Sequence, residues 1–279
     1  MNFVKMHGLG NDFIVCEERE APENASELAV RLCDRHFGIG ADGLVYILPS
    51  EAADAKMRIF NADGTEAEQC GNAVRCVAKY VWERNPGNGG DGQLTIETKG
   101  AGVQSVRVFT EAGKAVRVRV DMGKPVLTGL DIPTTIAADQ VVNRTLEIGG
   151  HRFLFTAVSM GNPHCVIPVD DAAAFDVNYW GPKLERHEWF PNRTNVEFVT
   201  VERPDRAVMR VWERGAGQTL ACGTGACAVL VAGVLGGTMA RSGTVSLAGG
   251  DLHIEWDEET GRVFMTGEAE EVYKGRLIV

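Results

Sequence analysis

The sequence has no surplus of positive charge: 28 lysines and arginines stand against 38 aspartates and glutamates, a formal net charge of −10. Lys and Arg do not cluster either, so a phosphate backbone finds no basic surface, and nucleic acid is excluded as an expected partner. No apolar run is long enough for a bilayer. The longest, Ala226 to Leu235, is half of the roughly 20 residues that a spanning helix needs, and it reads as a buried helix instead. The first residues, MNFVKMHGLGNDFIV, lack a basic segment followed by an apolar core, so no signal peptide is expected and the chain should stay in the cytoplasm. Zinc-knuckle and CxxC spacings are also missing. The seven cysteines are an odd number, and the pairs Cys70/Cys76 and Cys222/Cys227 fit neither a metal site nor a redox pair. Reduced thiols are the expectation, and any one of them taken alone is a small buried hydrophobe.

What is there is written twice. Met57-Arg58-Ile59-Phe60 aligns with Met209-Arg210-Val211-Trp212, and at the same offset Cys70-Gly71-Asn72 falls on Cys222-Gly223-Thr224 and Val77 on Val229. One residue off that register, Gly10-Asn11 and Val15 match Gly161-Asn162 and Val166. Three matches in the same order imply two similar domains that each contribute the same loop. In each half an apolar strand, residues 56 to 61 or 207 to 213, runs into a glycine loop, then the cysteine, then a helix. Residues 71 to 84 carry Val74, Val77, Ala78 and Val81 at helical spacing, and residues 223 to 236 are apolar nearly all round, as in a helix buried inside its domain.

The remaining patterns alternate or are β-branched between Gly and Asp turns: 94 to 98, 103 to 109, 116 to 120, 196 to 199 and 252 to 256. The expectation is an α+β protein of two pseudo-symmetric domains, each an antiparallel-rich curled sheet or barrel around a central helix, with the active site in the cleft between them. The domains are read as 1–122 and 150–265, joined by a crossover at 123–149 that carries Pro125 and Pro133. Residues 266–279 return to the N-terminal domain. Pro86 to Gly92 reads as a surface loop, since so much glycine cannot pack. The acidic groups Glu258-Glu259 and Glu268 to Glu271 read as solvated surface.

Each paired cysteine sits at the start of an expected helix, where unsatisfied backbone N–H groups and the positive end of the helix dipole favour a thiolate. The neighbouring glycine, Gly71 or Gly223, lets a ligand oxygen approach those N–H groups. Two such loops on repeated domains suggest two thiols facing one another. That arrangement suits removing a proton from one face of a carbon and returning another to the opposite face, with the helix starts holding a carboxylate as charge builds on it. Asn11, Asn61, Asn72, Asn162 and Asn195 offer amides to a zwitterion, and Glu213 and Arg214 could hold an ammonium and a carboxylate. His164 reads equally well as a core histidine.

At these residues the sequence resembles the diaminopimelate epimerases over essentially its whole length. The matching stretches run from Lys5 to Phe13, Arg35 to Gly43, Asn61 to Asn72, Met160 to Cys165, Asn192 to Phe198, and Glu213 to Gly217 through Ala221 to Gly225. The resemblance implies interconversion of LL- and meso-diaminopimelate, on the way to lysine and peptidoglycan precursors, with no cofactor and no metal. It makes Cys70 and Cys222 the acid/base pair. Asn11, Asn61, Gly71, Asn72, Asn162, Asn195, Glu213, Arg214, Gly223 and Thr224 fall on substrate-contacting positions, and His164 and Glu213 on positions that tune the thiols. A homodimer in the cytoplasm is implied as well. Three positions depart from the family pattern: Ala73 stands where glycine is frequent, Gln218 where glutamate is usual, and Gly43 where some members have a substrate-contacting glutamine.

Other readings remain. A proline-racemase-like enzyme, or another amino-acid racemase or isomerase of the same fold, would share the paired cysteines, although the asparagines with Glu213 and Arg214 favour a substrate charged at both ends. A thiol redox protein would join Cys70 to Cys222, against which the missing CxxC argues. A binding module leaves a duplicated thiol as an oxidation liability without purpose.

Overall fold

The computed structural model describes residues 1–67, 70–85 and 89–277, and the chain has a mixed α/β, strand-rich fold. It divides into two compact units: Met1–Asp121 with Thr266–Val279, and Met122–Met265. The first unit contains β1 (Asn2–Gly8), β2 (Asn11–Glu17), α1 (Ala25–Cys33), β3 (Gly43–Leu48), β4 (Ala55–Asn61), β5 (Glu66–Ala67), α2 (Gly71–Arg84), β6 (Gly92–Thr98), β7 (Gly102–Glu111) and β8 (Lys114–Asp121). Then follow β9 (Arg144–Ile148), β10 (His151–Ser159), β11 (Pro163–Pro168), α3 (Val177–Glu185), β12 (Asn195–Arg203), β13 (Arg206–Glu213), β14 (Gly217–Thr219), α4 (Gly223–Leu235), β15 (Ser242–Leu247), β16 (Gly250–Trp256) and β17 (Val263–Gly267). The last strand, β18 (Glu270–Arg276), pairs antiparallel with β1, Asn2 opposite Arg276.

Strand pairing follows the same rule in both units. In the first, β1 and β2 form a hairpin, β2 pairs parallel with β3, β3 antiparallel with β4, β4 antiparallel with β5 and parallel with β6, and β6 antiparallel with β7. In the second, β10 through β16 repeat every one of these steps in the same order. The parallel steps explain two helices that the sequence patterns left out. Parallel neighbours need a long crossover, and α1 and α3 supply it between β2 and β3 and between β11 and β12. Helix α1 is amphipathic, with Ala25, Ala29, Leu32 and Cys33 buried one turn apart.

The hairpin β1–β2 closes through Leu9 and Gly10 at φ 57° and 83°, the left-handed pair that matches strand twist in a two-residue turn. Gly161, at φ 93°, stands at the equivalent turn between β10 and β11. Asn11 and Asn162 each follow directly on that glycine.

Helices α2 and α4 start from the two cysteines and pack inside their own units. Helix α4 touches β10, β11, β12, β15 and β16. Its residues from Gly223 to Ala232 are buried apart from Thr224, which is why its sequence is apolar on every side. Helix α2 touches β1, β2, β4, β6, β7 and β8, yet it buries Arg75 and Lys79. Backbone oxygens take up these charges: Arg75 Nε donates to Glu268 O at 3.1 Å, and Lys79 Nζ donates to Ala115 O and lies 3.2 Å from Glu83.

Residues 123–149, expected to cross between the halves, supply Ile132, Val141 and Leu146 to the core of the second unit, beside Phe155 and Phe198. In the acidic stretch 268–271, Glu268 and Glu270 are exposed as the solvated-surface reading expects, while Glu271 is half-buried and paired with Arg84 at 2.6 Å. Of the glycine-rich stretch at 86–92, residues 86–88 lie outside those described, residues 89–91 are exposed and Gly92 begins β6. Among the described residues no helix is long and apolar enough to cross a membrane.

Candidate active site

Two half-sites lie at the starts of α2 and α4. Cys70 caps α2 in an extended conformation (φ −151°, ψ 104°), and Cys222 caps α4 in the same way (φ −126°, ψ 107°). Each carbonyl accepts the first helical hydrogen bond, from Val74 N at 2.9 Å and from Ala226 N at 3.0 Å. The residues that follow, Gly71 and Asn72 or Gly223 and Thr224, therefore present first-turn N–H groups that the helix itself does not use.

At the first half-site Asn11 brings several groups together. Its Oδ1 accepts from Asn72 Nδ2 at 3.0 Å and lies 3.9 Å from Cys70 Sγ, while its Nδ2 donates to Asp42 Oδ2 at 2.8 Å. Asp42 is held in turn by Arg35, which also forks onto both oxygens of Asp12 at 2.7 and 3.1 Å, and Lys5 reaches Asp12 at 2.7 Å. Burial pushes the Asp12 carboxyl up, but the hydrogen bonds and charges of Arg35 and Lys5 outweigh it and hold Asp12 at about 2. Asn61 lies beside this cluster, opposite Gly43 in the β3–β4 ladder. Its amide donates to Thr65 Oγ1 at 3.0 Å, within its own turn.

At the second half-site the environment is drier. Cys222 is almost fully buried, its Sγ 3.6 Å from Thr224 Oγ1. Burial, then the nearby Glu213 and Glu197, push its thiol well above the ordinary cysteine value. Burial also raises Glu213, against hydrogen bonds from Thr219 and Cys222 that favour the carboxylate. His164 is fully buried between two oxygens, Glu197 Oε1 at 2.7 Å from Nδ1 and Asn162 Oδ1 at 2.9 Å from Nε2. Asn195 acts on the backbone, donating to Pro163 O and accepting from Arg214 N, each at 2.9 Å. The Arg214 guanidinium lies 3.3 Å from Asn192 O.

The seven thiols should therefore react unequally. Burial raises Cys16 and Cys76 to about 12 and Cys33 to about 11, with Cys165 and Cys222 raised strongly as well. Cys227 is buried too, and Cys70 is the half-exposed one. Since only an accessible thiolate is alkylated, iodoacetamide at near-neutral pH should label Cys70 first. Peptide mapping that finds another cysteine labelled ahead of it would contradict this ordering.

The sequence matches the family model described as diaminopimelate epimerase over residues 3–128 and 156–272. It is 54% identical over 278 residues to the diaminopimelate epimerase of Pelotomaculum thermopropionicum, an alignment that spans 99% of this chain and 98% of that one. This chain belongs to the diaminopimelate epimerase family.

Solved structures of low identity show the same fold. A predicted epimerase from Pseudomonas aeruginosa superposes with a TM-score of 0.70 at 16% identity, covering 100% of this chain and 99% of its own. A phenazine biosynthesis protein of the PhzF family from Bacillus anthracis gives 0.69 at 16%, again over 100% and 99%. The structure describes the three positions that the sequence reading set apart from the family pattern. Ala73 is fully buried in the first turn of α2, and Gln218 is exposed on β14. At Gly43 an added Cβ would lie 3.0 Å from Phe60 O, so a side chain there requires the backbone to shift.

Sequence reasoning passed over Asp42, Arg35, Asp12 and Glu197. Asp42 and Arg35 lie in a stretch used only for resemblance. Glu197 had a signal, an acidic residue inside Val196-Glu197-Phe198-Val199, where every neighbour is apolar. Among the described residues no three His, Cys, Asp or Glu side chains gather as metal ligands would.

Proposed function

We propose that this diaminopimelate epimerase interconverts the LL and meso isomers with Cys70 and Cys222 as its two acid/base groups, one for each face of the same Cα. The observation that carries the reading is the duplicated cap: two cysteines in the same backbone conformation begin matching helices of a repeated fold. In one direction a thiolate takes the Cα proton and becomes a thiol, while the other thiol gives its proton to the opposite face and becomes a thiolate. No proton is gained or lost overall. The enzyme is left with the two protonation states exchanged, ready for the reverse reaction or for reset by solvent.

The carbanion is the difficult intermediate, because its charge must spread into the adjacent carboxylate. First-turn N–H groups at Gly71, Asn72, Gly223 and Thr224 are the donors placed to receive it. Asn11, Asn61, Asn72, Asn162, Asn195, Glu213 and Arg214 hold the charged ends of the substrate, and His164 with Glu213 tunes the thiols. In this reading the domains 1–122 and 150–265, linked by 123–149, are each a sheet curled around its helix, and the two half-sites close on one molecule in the cleft between them. A homodimer in the cytoplasm completes it on the strength of the family resemblance, and the mass in solution checks the dimer.

The test is direct. LL-diaminopimelate incubated with reduced protein should yield the meso isomer until the two are in equilibrium. Turnover of proline with none of diaminopimelate would instead favour the proline-racemase-like alternative.

A further inference from the structure

Glu197 is fully buried on β12, and its two oxygens have different surroundings. Oε1 lies 2.7 Å from His164 Nδ1, whereas Oε2 is buried with no hydrogen-bond partner among the described residues. A carboxyl in such a place is costly, so an apolar side chain of the same size would serve the core better. The register explains how it meets the histidine. Strands β11 and β12 run parallel with His164 opposite Asn195 and Val166 opposite Glu197, so His164 and Glu197 lie on one face as diagonal neighbours. The start of α4 is close as well: a Cβ on Gly225 would lie 2.8 Å from Glu197 Oε1 and 3.2 Å from Cys222 Sγ.

Both ring nitrogens of His164 face oxygen, Glu197 Oε1 on one side and Asn162 Oδ1 on the other. Oxygen at both ends is satisfied when Nε2 carries a hydrogen and a second proton lies between Nδ1 and Oε1. Whichever of those two atoms holds the second proton, Nε2–H donates to Asn162 Oδ1, and the N–H₂ group of that amide is turned the other way. Remove the carboxyl and the ring is free to place its hydrogen on Nδ1. In that tautomer the Asn162 amide turns over to donate to the bare Nε2 with its oxygen outward, so without Glu197 the amide is no longer held in one orientation.

We propose that Glu197 is a positioning residue of the epimerase, which through His164 fixes the Asn162 amide with its N–H₂ group presented to the substrate carboxylate. This rests on the reading above, in which Asn162 binds substrate. An amide turned over would offer an acceptor to an anion, so the effect falls on binding first.

The experiment is a double-mutant cycle with Glu197→Leu and Asn162→Ala, read as KM and kcat separately, with Glu197→Gln as the conservative variant. Glu197→Leu should raise KM about tenfold and lower kcat less. In the Asn162→Ala background the same change should have no further effect on KM, which loss of packing alone would not produce. Glu197→Gln can donate to Nδ1 and leave the hydrogen on Nε2, so it should restore most of the affinity. Nitrogen NMR of wild-type His164 should show a protonated Nε2. A KM unmoved by Glu197→Leu, an effect undiminished in the Asn162→Ala background, or a Gln variant as impaired as Leu would each overturn the proposal. The last outcome would place the role in the charge near Cys222. If Glu197→Leu does not fold, a bare Nε2 in the wild-type spectrum overturns the proposal by itself. A normal KM in Asn162→Ala would refute the substrate-binding role of Asn162 instead, and that failure is separately visible because the His164 spectrum does not depend on it.

Discussion

Replacing either Cys70 or Cys222 by alanine should reduce epimerisation at least ~10³-fold, because inversion needs a proton taken from one face and another delivered to the opposite face. The remaining thiol can still exchange the proton on its own side. Each single variant should therefore keep some Cα hydrogen exchange with one isomer while making almost no product. The loss should appear in kcat, since the asparagines and the helix N–H groups proposed to hold the substrate are intact. Cys165→Ala and Cys227→Ala are the controls. Both cysteines are fully buried in the second unit, and their replacement disturbs core packing, which costs stability rather than chemistry. Thermal melts of all four variants alongside the assay separate the two effects. A Cys227→Ala protein as inactive as Cys222→Ala, at unchanged stability, would mean that the pair is misassigned.

The second large effect is isotopic. In heavy water whichever cysteine is the thiol of the pair carries a deuteron. When the partner thiolate removes the Cα proton of the isomer it faces, the deuteron is delivered to the other face, and the product carries one label at Cα. The abstracted proton stays on the first sulfur while the site is closed to water, so recovered substrate should be almost unlabelled in the first few per cent of conversion. Starting from the other isomer exchanges the two cysteines' roles and should give the same asymmetry. An enzyme with a single base would carry the original proton across and form unlabelled product. Mass spectrometry of both isomers at early times distinguishes the cases, and substantial transfer of the original proton into product would rule out the two-cysteine mechanism.

What could be read from the sequence was local or repeated. The helices at 71–84 and 223–236 were legible because apolar periodicity needs only neighbouring residues, and the two cysteines stood out because the repeat put the same short loop before each helix. The repeat was visible at a few positions only. Its full extent, the pairings from β1 to β7 recurring in order from β10 to β16, is a property of the fold that most side chains are free to ignore.

The rest depended on residues that chain distance separates. Asn11 is fixed by Asp42 across 31 positions and His164 by Glu197 across 33, in each case because a parallel strand pairing brings the two stretches together. No pattern along the chain marks such a register. The same is true of Asn195, whose amide bridges Pro163 O and Arg214 N from two distant stretches of the chain. The sequence by itself determined that two thiols stand at helix starts, since that is a matter of adjacent residues. Only the tertiary structure decided how dry each thiol is and which carboxylates face it, because burial and field depend on what packs around an atom rather than on what is bonded to it.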